Sequence, residues 1–342
     1  MHSRSTSLEA IAKVVSRLAI AMSAAWFLGL ATTAQQPAPT APLKSSGHSY
    51  SAFQVKVEGR GRAIIMIPGL ASSGATWDAT VAHLSDRFQC IQLTLAGFAG
   101  TPSIEAPLLT TAREQIAQYI RDNDIDQPVI MGHSLGGSIA LDLAAHYPKL
   151  VGPVIIVDSL PFMAGAWFQA DSLAAARPTI EKMQAGMQGM THEQWEGMTR
   201  SGASTNAMAT SAQDQKTLIS WGLASDQKTV TNAMIELVST DLRPELGKIE
   251  SPVLVIGTWI GLKGYGVTEE AATQLFHQQY ADVNHLQFVM ARQARHFVMW
   301  DDPAWFNTQV DGFLATNTHP ASSSKKHTEE TKACTPSRTE QT

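Results

Sequence analysis

Cysteine is almost missing from this chain. Two of its 342 residues are cysteine, Cys90 and Cys334, which excludes a disulfide-stapled scaffold and the paired-cysteine spacing of a zinc site. Cys90 falls in an apolar run and Cys334 in a polar segment, so no disulfide between them is expected. Charge is also sparse. Charged residues make up 16% of the chain and the formal net charge is −5, which removes the electrostatic case for nucleic-acid binding. No phosphate-binding glycine loop and no His/Cys/Asp/Glu ligand cluster is present, so neither a metal nor an organic cofactor is expected.

What is abundant is apolar: 44% of residues are hydrophobic, as suits a globular protein. At the N-terminus, Arg4, Lys13 and Arg17 precede an apolar run over 18–31 that ends in Thr32-Thr33-Ala34. The run is shorter than a stable membrane span needs and is followed by small residues, the pattern of a signal peptide cleaved near Ala34. An uncleaved membrane anchor is the alternative, and either places the body outside the cytoplasm, in the periplasm or secreted. Residues 35–48 form a linker rich in proline and small residues. Residues 316–342 are rich in Ser, Thr, Lys and Glu without apolar periodicity, which predicts a disordered tail.

Between these ends, strand and helix signals alternate. Residues 53–57 alternate apolar and polar like an edge strand. The short continuous apolar run at 63–67, ending at Pro68-Gly69, reads as a buried parallel strand, and residues 89–95, 128–131, 154–157, 252–256 and 286–290 read as further strands. Helical patterns lie over 110–121 and 135–147, and a last helix starts at Asp302-Pro303, where Asp301 and Asp302 are expected to cap it. This alternation predicts an α/β fold: a mostly parallel twisted sheet with helices on both faces. Residues 160–242 break the rhythm with helix formers and seven methionines (163, 183, 187, 190, 198, 208 and 234). They are read as an inserted helical cap dividing a core of 49–159 and 243–315. Methionine adapts to irregular apolar ligands, although packing of cap on sheet accounts for most of these residues.

The chemistry centres on Gly132-His133-Ser134-Leu135-Gly136-Gly137, between the strand ending at Met131 and the helix opening at Leu135. A nucleophile on a tight strand-to-helix turn has strained backbone angles and needs small neighbours. Three glycines provide that room, and the turn puts the Ser134 hydroxyl at the positive end of a helix dipole. A serine hydroxyl requires a base. His296, in Arg295-His296-Phe297 just after the last strand, is the histidine placed to reach back over the sheet's carboxyl end. An oxyanion needs two backbone N–H donors. Leu135 offers one, and Leu70, in Pro68-Gly69-Leu70-Ala71 after an early strand, offers the other.

Pro68-Gly69-Leu70-Ala71-Ser72-Ser73, Trp77, Leu95-Ala96-Gly97-Phe98-Ala99-Gly100, the serine turn and the late Arg295-His296-Phe297 together resemble the α/β-hydrolase superfamily from about residue 51 to 314. The resemblance implies an α/β-hydrolase fold and a Ser–His–acid mechanism more firmly than a substrate. Haloalkane dehalogenases and epoxide hydrolases of this fold are less similar, since they carry aspartate at the position of Ser134. The family's acid usually follows the penultimate strand, yet no carboxylate appears after 252–256 until Glu269. Some members carry it one strand earlier, where Asp158 ends the strand 154–157, so Asp158 is the expected acid. Asp241 is read as a cap–core contact or helix cap.

The reading is a serine hydrolase that cleaves a carboxylic ester or related acyl bond of an uncharged or hydrophobic small molecule through an acyl-enzyme. Phe162, Trp167 and Phe168, just past Asp158, could line the pocket, and packing accounts for them equally well. A carbon–carbon bond, lactone or N-acyl hydrolase would use the same three residues. A non-catalytic binding protein would have no need of all of them.

Overall fold

The computed structural model describes residues 50–105 and 107–317. The expected signal peptide and linker, Cys334 and the tail from 318 onward lie outside the described residues. Among the described residues, seven strands form one sheet: β1 (Phe53–Gly59), β2 (Arg62–Ile67), β3 (Phe88–Leu95), β4 (Val129–His133), β5 (Val154–Val157), β6 (Val253–Thr258) and β7 (Leu286–Ala291). Their order is β1-β3-β2-β4-β5-β6-β7. β1 pairs antiparallel with β3 at one edge, and every other pairing is parallel.

The helices in chain order are α1 (Asp78–Leu84), α2 (Leu108–Asp122), α3 (Leu135–His146), α4 (Met163–Phe168), α5 (Leu173–Gln188), α6 (His192–Ser201), α7 (Thr205–Met208), α8 (Ala212–Ala224), α9 (Gln227–Val238), α10 (Glu269–Gln279), α11 (Val298–Asp301) and α12 (Pro303–Asn317). Successive strand residues point to opposite faces, and the core divides accordingly. Ile65, Ile67, Ile130, Ile156 and Val255 pack on one face with residues of α2 and α3. Ile64, Met66, Met131, Ile155 and Leu254 pack on the other with Val81 and Leu84 of α1 and with Phe306, Val310 and Phe313 of α12. The central strands read as unbroken apolar runs because both faces are covered.

Six helices, α4 to α9, stand between β5 and β6 as an inserted helical region. Met163, Met183, Met187, Met190 and Met198 are half-buried against the core on the α2–α3 side. The loop after β3 meets this region closely: a Cβ on Gly97, whose φ is +76°, would lie 2.6 Å from the Thr229 side chain. Glu236 of α9 accepts hydrogen bonds from the Leu109 and Thr110 amides at the start of α2. Insert and core are therefore tied at several points.

Two local expectations change. Thr316 and Asn317 complete α12, because Thr316 Oγ1 and Asn317 Nδ2 donate to carbonyls of the preceding turn. Asp302 Oδ1 does accept the Trp305 amide at the start of α12, but Asp301 caps nothing there. Its carboxylate instead takes hydrogen bonds from Thr210 and from the Arg295 amide. The short helix α1 has no periodic signal to announce it. It is held by Trp77 and Leu84, which are fully buried, and by a His83–Asp311 contact to α12 at 2.8 Å.

The β4–α3 turn tolerates no side chains at its glycines. A Cβ on Gly136 would stand 2.3 Å from the Ile67 carbonyl oxygen, and one on Gly132 would stand 2.2 Å from the Gly136 oxygen. Gly136→Ala is expected to lower stability by about 2–3 kcal/mol, read as a lower urea midpoint at unchanged slope. Gly186→Ala in α5 has nothing within 4 Å of its new Cβ and should instead gain about 0.5–1 kcal/mol.

Candidate active site

Every residue from Pro128 to Leu141 is buried except Ser134. Its backbone explains why. Ser134 has φ +53° and ψ −120°, a conformation that L-residues avoid and that persists only when the surroundings enforce it. The Ser134 amide donates to the Val157 carbonyl at 2.9 Å, and its own carbonyl accepts from Gly137 and Ser138 to open α3. The side chain makes no capping bond to that helix. The hydroxyl is thus held at the sheet's carboxyl end without being consumed by local structure.

Asp158 is the next residue after β5 and also has positive φ, +45°. Its Oδ2 lies 2.6 Å from His296 Nδ1. The same carboxylate accepts from Thr258 Oγ1 at 2.7 Å and from the Thr258 amide at 3.1 Å. With Nδ1–H donating to Asp158, the free lone pair of the His296 ring is on Nε2, the nitrogen that can take a proton. Two residues beyond sequence reasoning support this pair. Thr258 ends β6, beside Asp158. Tyr280 is buried and donates to the Ser159 carbonyl at 2.8 Å. Burial, with the Asp158 charge nearby, pushes the Tyr280 phenol well above its usual range, so it stays a neutral donor. Neither had a signal: Thr258 looks like any strand end, and Tyr280 lies far along the chain from Ser159.

His133 joins the serine turn to the histidine loop. Its Nε2 donates to the His296 carbonyl at 3.0 Å, and the two rings are 4.5 Å apart. Phe297 packs on His133 at 4.4 Å and stacks on Trp300, whose indole N–H reaches the Thr76 carbonyl. The structure therefore brings Ser134, Asp158 and His296 to one end of the sheet. Asp241 is elsewhere, paired with Arg243 at 2.6 Å.

Burial, reinforced by the neighbouring His296, holds the His133 pKa well below the ordinary value of 6.5. A neutral His133 in the folded state and a protonatable one in the unfolded chain give a defined sign. The unfolded chain binds the extra proton, so stability is full above about pH 6.5 and falls as pH drops from there toward the depressed folded value. Melting temperature measured against pH is expected to decline over that range. His133→Gln, which keeps a donor near Nε2 but does not titrate, should flatten the decline.

The Pro68–Ala71 loop crosses directly above the serine turn. A Cβ on Gly69 would be 3.0 Å from His133 Nδ1 and 3.2 Å from Ser134 Cβ. A side chain at Gly69 would crowd this approach, and the left-handed residue of the loop is Ala71, with φ +53°. Leu70 is half-buried beside it, and Leu135 opens α3 fully buried. Of the aromatic residues expected near a pocket, Phe162 is fully buried in the core, under the Arg243 guanidinium at 4.2 Å. It is a packing residue and not a free wall. Trp167 and Phe168 are half-buried and keep exposed surface. A separate cleft of about 760 Å³ lies between Gly100–Ser103 and residues such as His192, Lys228 and Asn232, and neither Ser134 nor His296 lines it.

Comparison with known proteins agrees with this geometry at the level of family. The model of the "Alpha/beta hydrolase family" matches residues 64–309. A pimeloyl-[acyl-carrier protein] methyl ester esterase from Vibrio cholerae is 28% identical over 206 residues, covering 58% of this chain and 76% of that protein. The esterase of the same name from Nitrosomonas europaea is 25% identical, covering 60% of this chain and 80% of its own. Among solved structures, an esterase from Exiguobacterium antarcticum superposes with a TM-score of 0.64 at 15% identity, over 78% of this chain and 98% of its own. That likeness concerns the fold. With the family match covering most of the sheet and both segments that flank the insert, the chain belongs to the alpha/beta hydrolase family.

Proposed function

We propose that this protein is a serine hydrolase that cleaves a carboxylic ester through an acyl-enzyme on Ser134. The observation that carries the reading is the 2.6 Å contact between Asp158 and His296, set beside a strained serine that is half-buried in a run otherwise buried. In the proposed sequence, His296 Nε2 takes the Ser134 proton as Oγ attacks the carbonyl carbon. Asp158 holds the ring and stabilises the imidazolium that forms. The Leu70 and Leu135 amides receive the negative oxygen. Protonated His296 then gives its proton to the departing alcohol, and water repeats the cycle to release the acid. The relatives named as methyl ester esterases support an ester as the bond cleaved.

The half-buried apolar side chains just beyond the strand ends, Leu70, Leu160 and Met163, favour an uncharged acyl group. Turnover of p-nitrophenyl esters from acetate to decanoate tests this. Hydrolysis of the neutral series, with poor turnover of a succinate half-ester, is the expected outcome. Phosphonate labelling without hydrolysis of any ester would move the reading to carbon–carbon, lactone or N-acyl substrates.

We further propose that the enzyme acts outside the cytoplasm, on the basic-then-apolar pattern of residues 4–34. Among the described residues, no helix is long and apolar enough to cross a membrane.

A further inference from the structure

Segment 206–210 of the inserted region and segment 295–301 of the core are stitched together by an unusual density of hydrogen bonds. The Phe297 amide donates to the Met208 carbonyl at 3.0 Å. Arg295 Nη1 donates to the Ala209 carbonyl at 3.0 Å, and also to the carbonyl and side chain of Asn206. The Asp301 carboxylate completes the join by accepting three bonds from the two segments. Its Oδ1 takes the Thr210 amide at 2.8 Å, while Oδ2 takes Thr210 Oγ1 at 2.9 Å and the Arg295 amide at 2.8 Å. The amides of Arg295 and Phe297, the residues on either side of His296, are therefore held by Asp301, which bridges to the insert, and by the insert's Met208 carbonyl. The His296 carbonyl is held by His133. The peptide unit that follows His296 is pinned at both its N–H and its C=O, and the Arg295 amide is held one unit before the histidine, which leaves the imidazole little freedom to drift from Asp158.

We propose that Asp301 is a positioning residue for His296, and that through it the insert's 206–210 segment sets where the imidazole stands. The carboxylate suits this role because it is an acceptor only, and all three groups facing it are donors. The amide of Asp301→Asn would direct N–H at one of those donors and open the join. The inference rests on His296 being the general base. It makes the 206–210 segment part of the site, whatever substrate the insert admits.

Steady-state hydrolysis of p-nitrophenyl butyrate by the full chain tests the proposal, with wild type, Asp301→Asn, Thr210→Val and His296→Ala assayed together. Asp301→Asn is expected to lower kcat about 30-fold with KM within about 3-fold, since a misplaced base slows chemistry more than binding. The rate of phosphonate labelling at Ser134 should fall in parallel. Thr210→Val loses only the hydroxyl bond, and about a 3-fold fall in kcat is expected. A merely structural role would lower the melting temperature while leaving kcat and labelling rate per folded molecule unchanged, and that result overturns the proposal. If Asp301→Asn does not fold, an unchanged kcat in Thr210→Val overturns it instead. A fully active His296→Ala would defeat the reading of the base itself, whereas an inactive His296→Ala beside a normal Asp301→Asn defeats the positioning role alone.

Discussion

Ser134→Ala is expected to lower kcat on p-nitrophenyl butyrate by about 10⁵–10⁶-fold, with KM changed by no more than about 3-fold. The size of the effect follows from what is lost: the covalent route itself, not one of several contacts. Some acceleration over water should persist, because the proposed oxyanion donors, the Leu70 and Leu135 amides, do not depend on the hydroxyl. The fold should be indifferent. The hydroxyl makes no capping bond to α3, and alanine meets the same strain at φ +53° that serine does. The melting temperature is expected within about 3 °C of wild type, equivalent to about 1 kcal/mol. Ser134→Gly removes the strain as well as the nucleophile, and should be more stable than wild type while equally inactive. Circular dichroism melts beside the kinetics separate the two effects.

Asp158→Asn is expected to lower kcat by about 10⁴-fold, whereas Asp241→Asn should leave kcat within about 2-fold of wild type. The difference lies in what surrounds each carboxylate. Asp158 accepts from His296 Nδ1, Thr258 Oγ1 and the Thr258 amide. An asparagine there must turn its NH₂ toward at least one of these donors. If it faces His296, the ring shifts to the other tautomer and Nε2 no longer carries the lone pair. If it faces the Thr258 amide, the side chain is pushed from its seat. Asp241 instead pairs with Arg243, which also donates to the Asp171 carbonyl and lies over Phe162. Losing that charge costs about 1 kcal/mol or less, since the arginine is partly exposed. Melts and kinetics on the two variants decide the acid: normal kcat in folded Asp158→Asn would remove it from the proposed mechanism.

What was legible in the sequence was what has a period or a forced local geometry. Strands buried on both faces give unbroken apolar runs, so β2, β4, β5 and β6 could be read to within about two residues. The serine turn was legible because glycine on both sides of a serine, between strand and helix, has few other uses. The placement of Asp158 was readable only through the family resemblance, since some α/β-hydrolases carry the acid one strand before its usual place. What was not legible were groups that act across the fold. His133 looked like a turn residue, yet it holds the His296 carbonyl from far along the chain. Asp301 looked like a helix cap beside Asp302, because an aspartate before a helix is usually one. Its three donors come from the insert and the histidine loop, and no local pattern encodes that. Phe162 stayed open between pocket wall and packing, because aromatic residues after a strand can be either. Arg243 covering its face decides for core.

The most direct test of the account is covalent trapping. The purified protein is treated with a serine-directed fluorophosphonate and the adduct is mapped by peptide mass spectrometry. The account predicts one label per chain on Ser134, formed at a rate that falls by orders of magnitude in His296→Ala and absent in Ser134→Ala. Ester turnover that persists in Ser134→Ala, or a label carried by another residue in the wild-type protein, would contradict it.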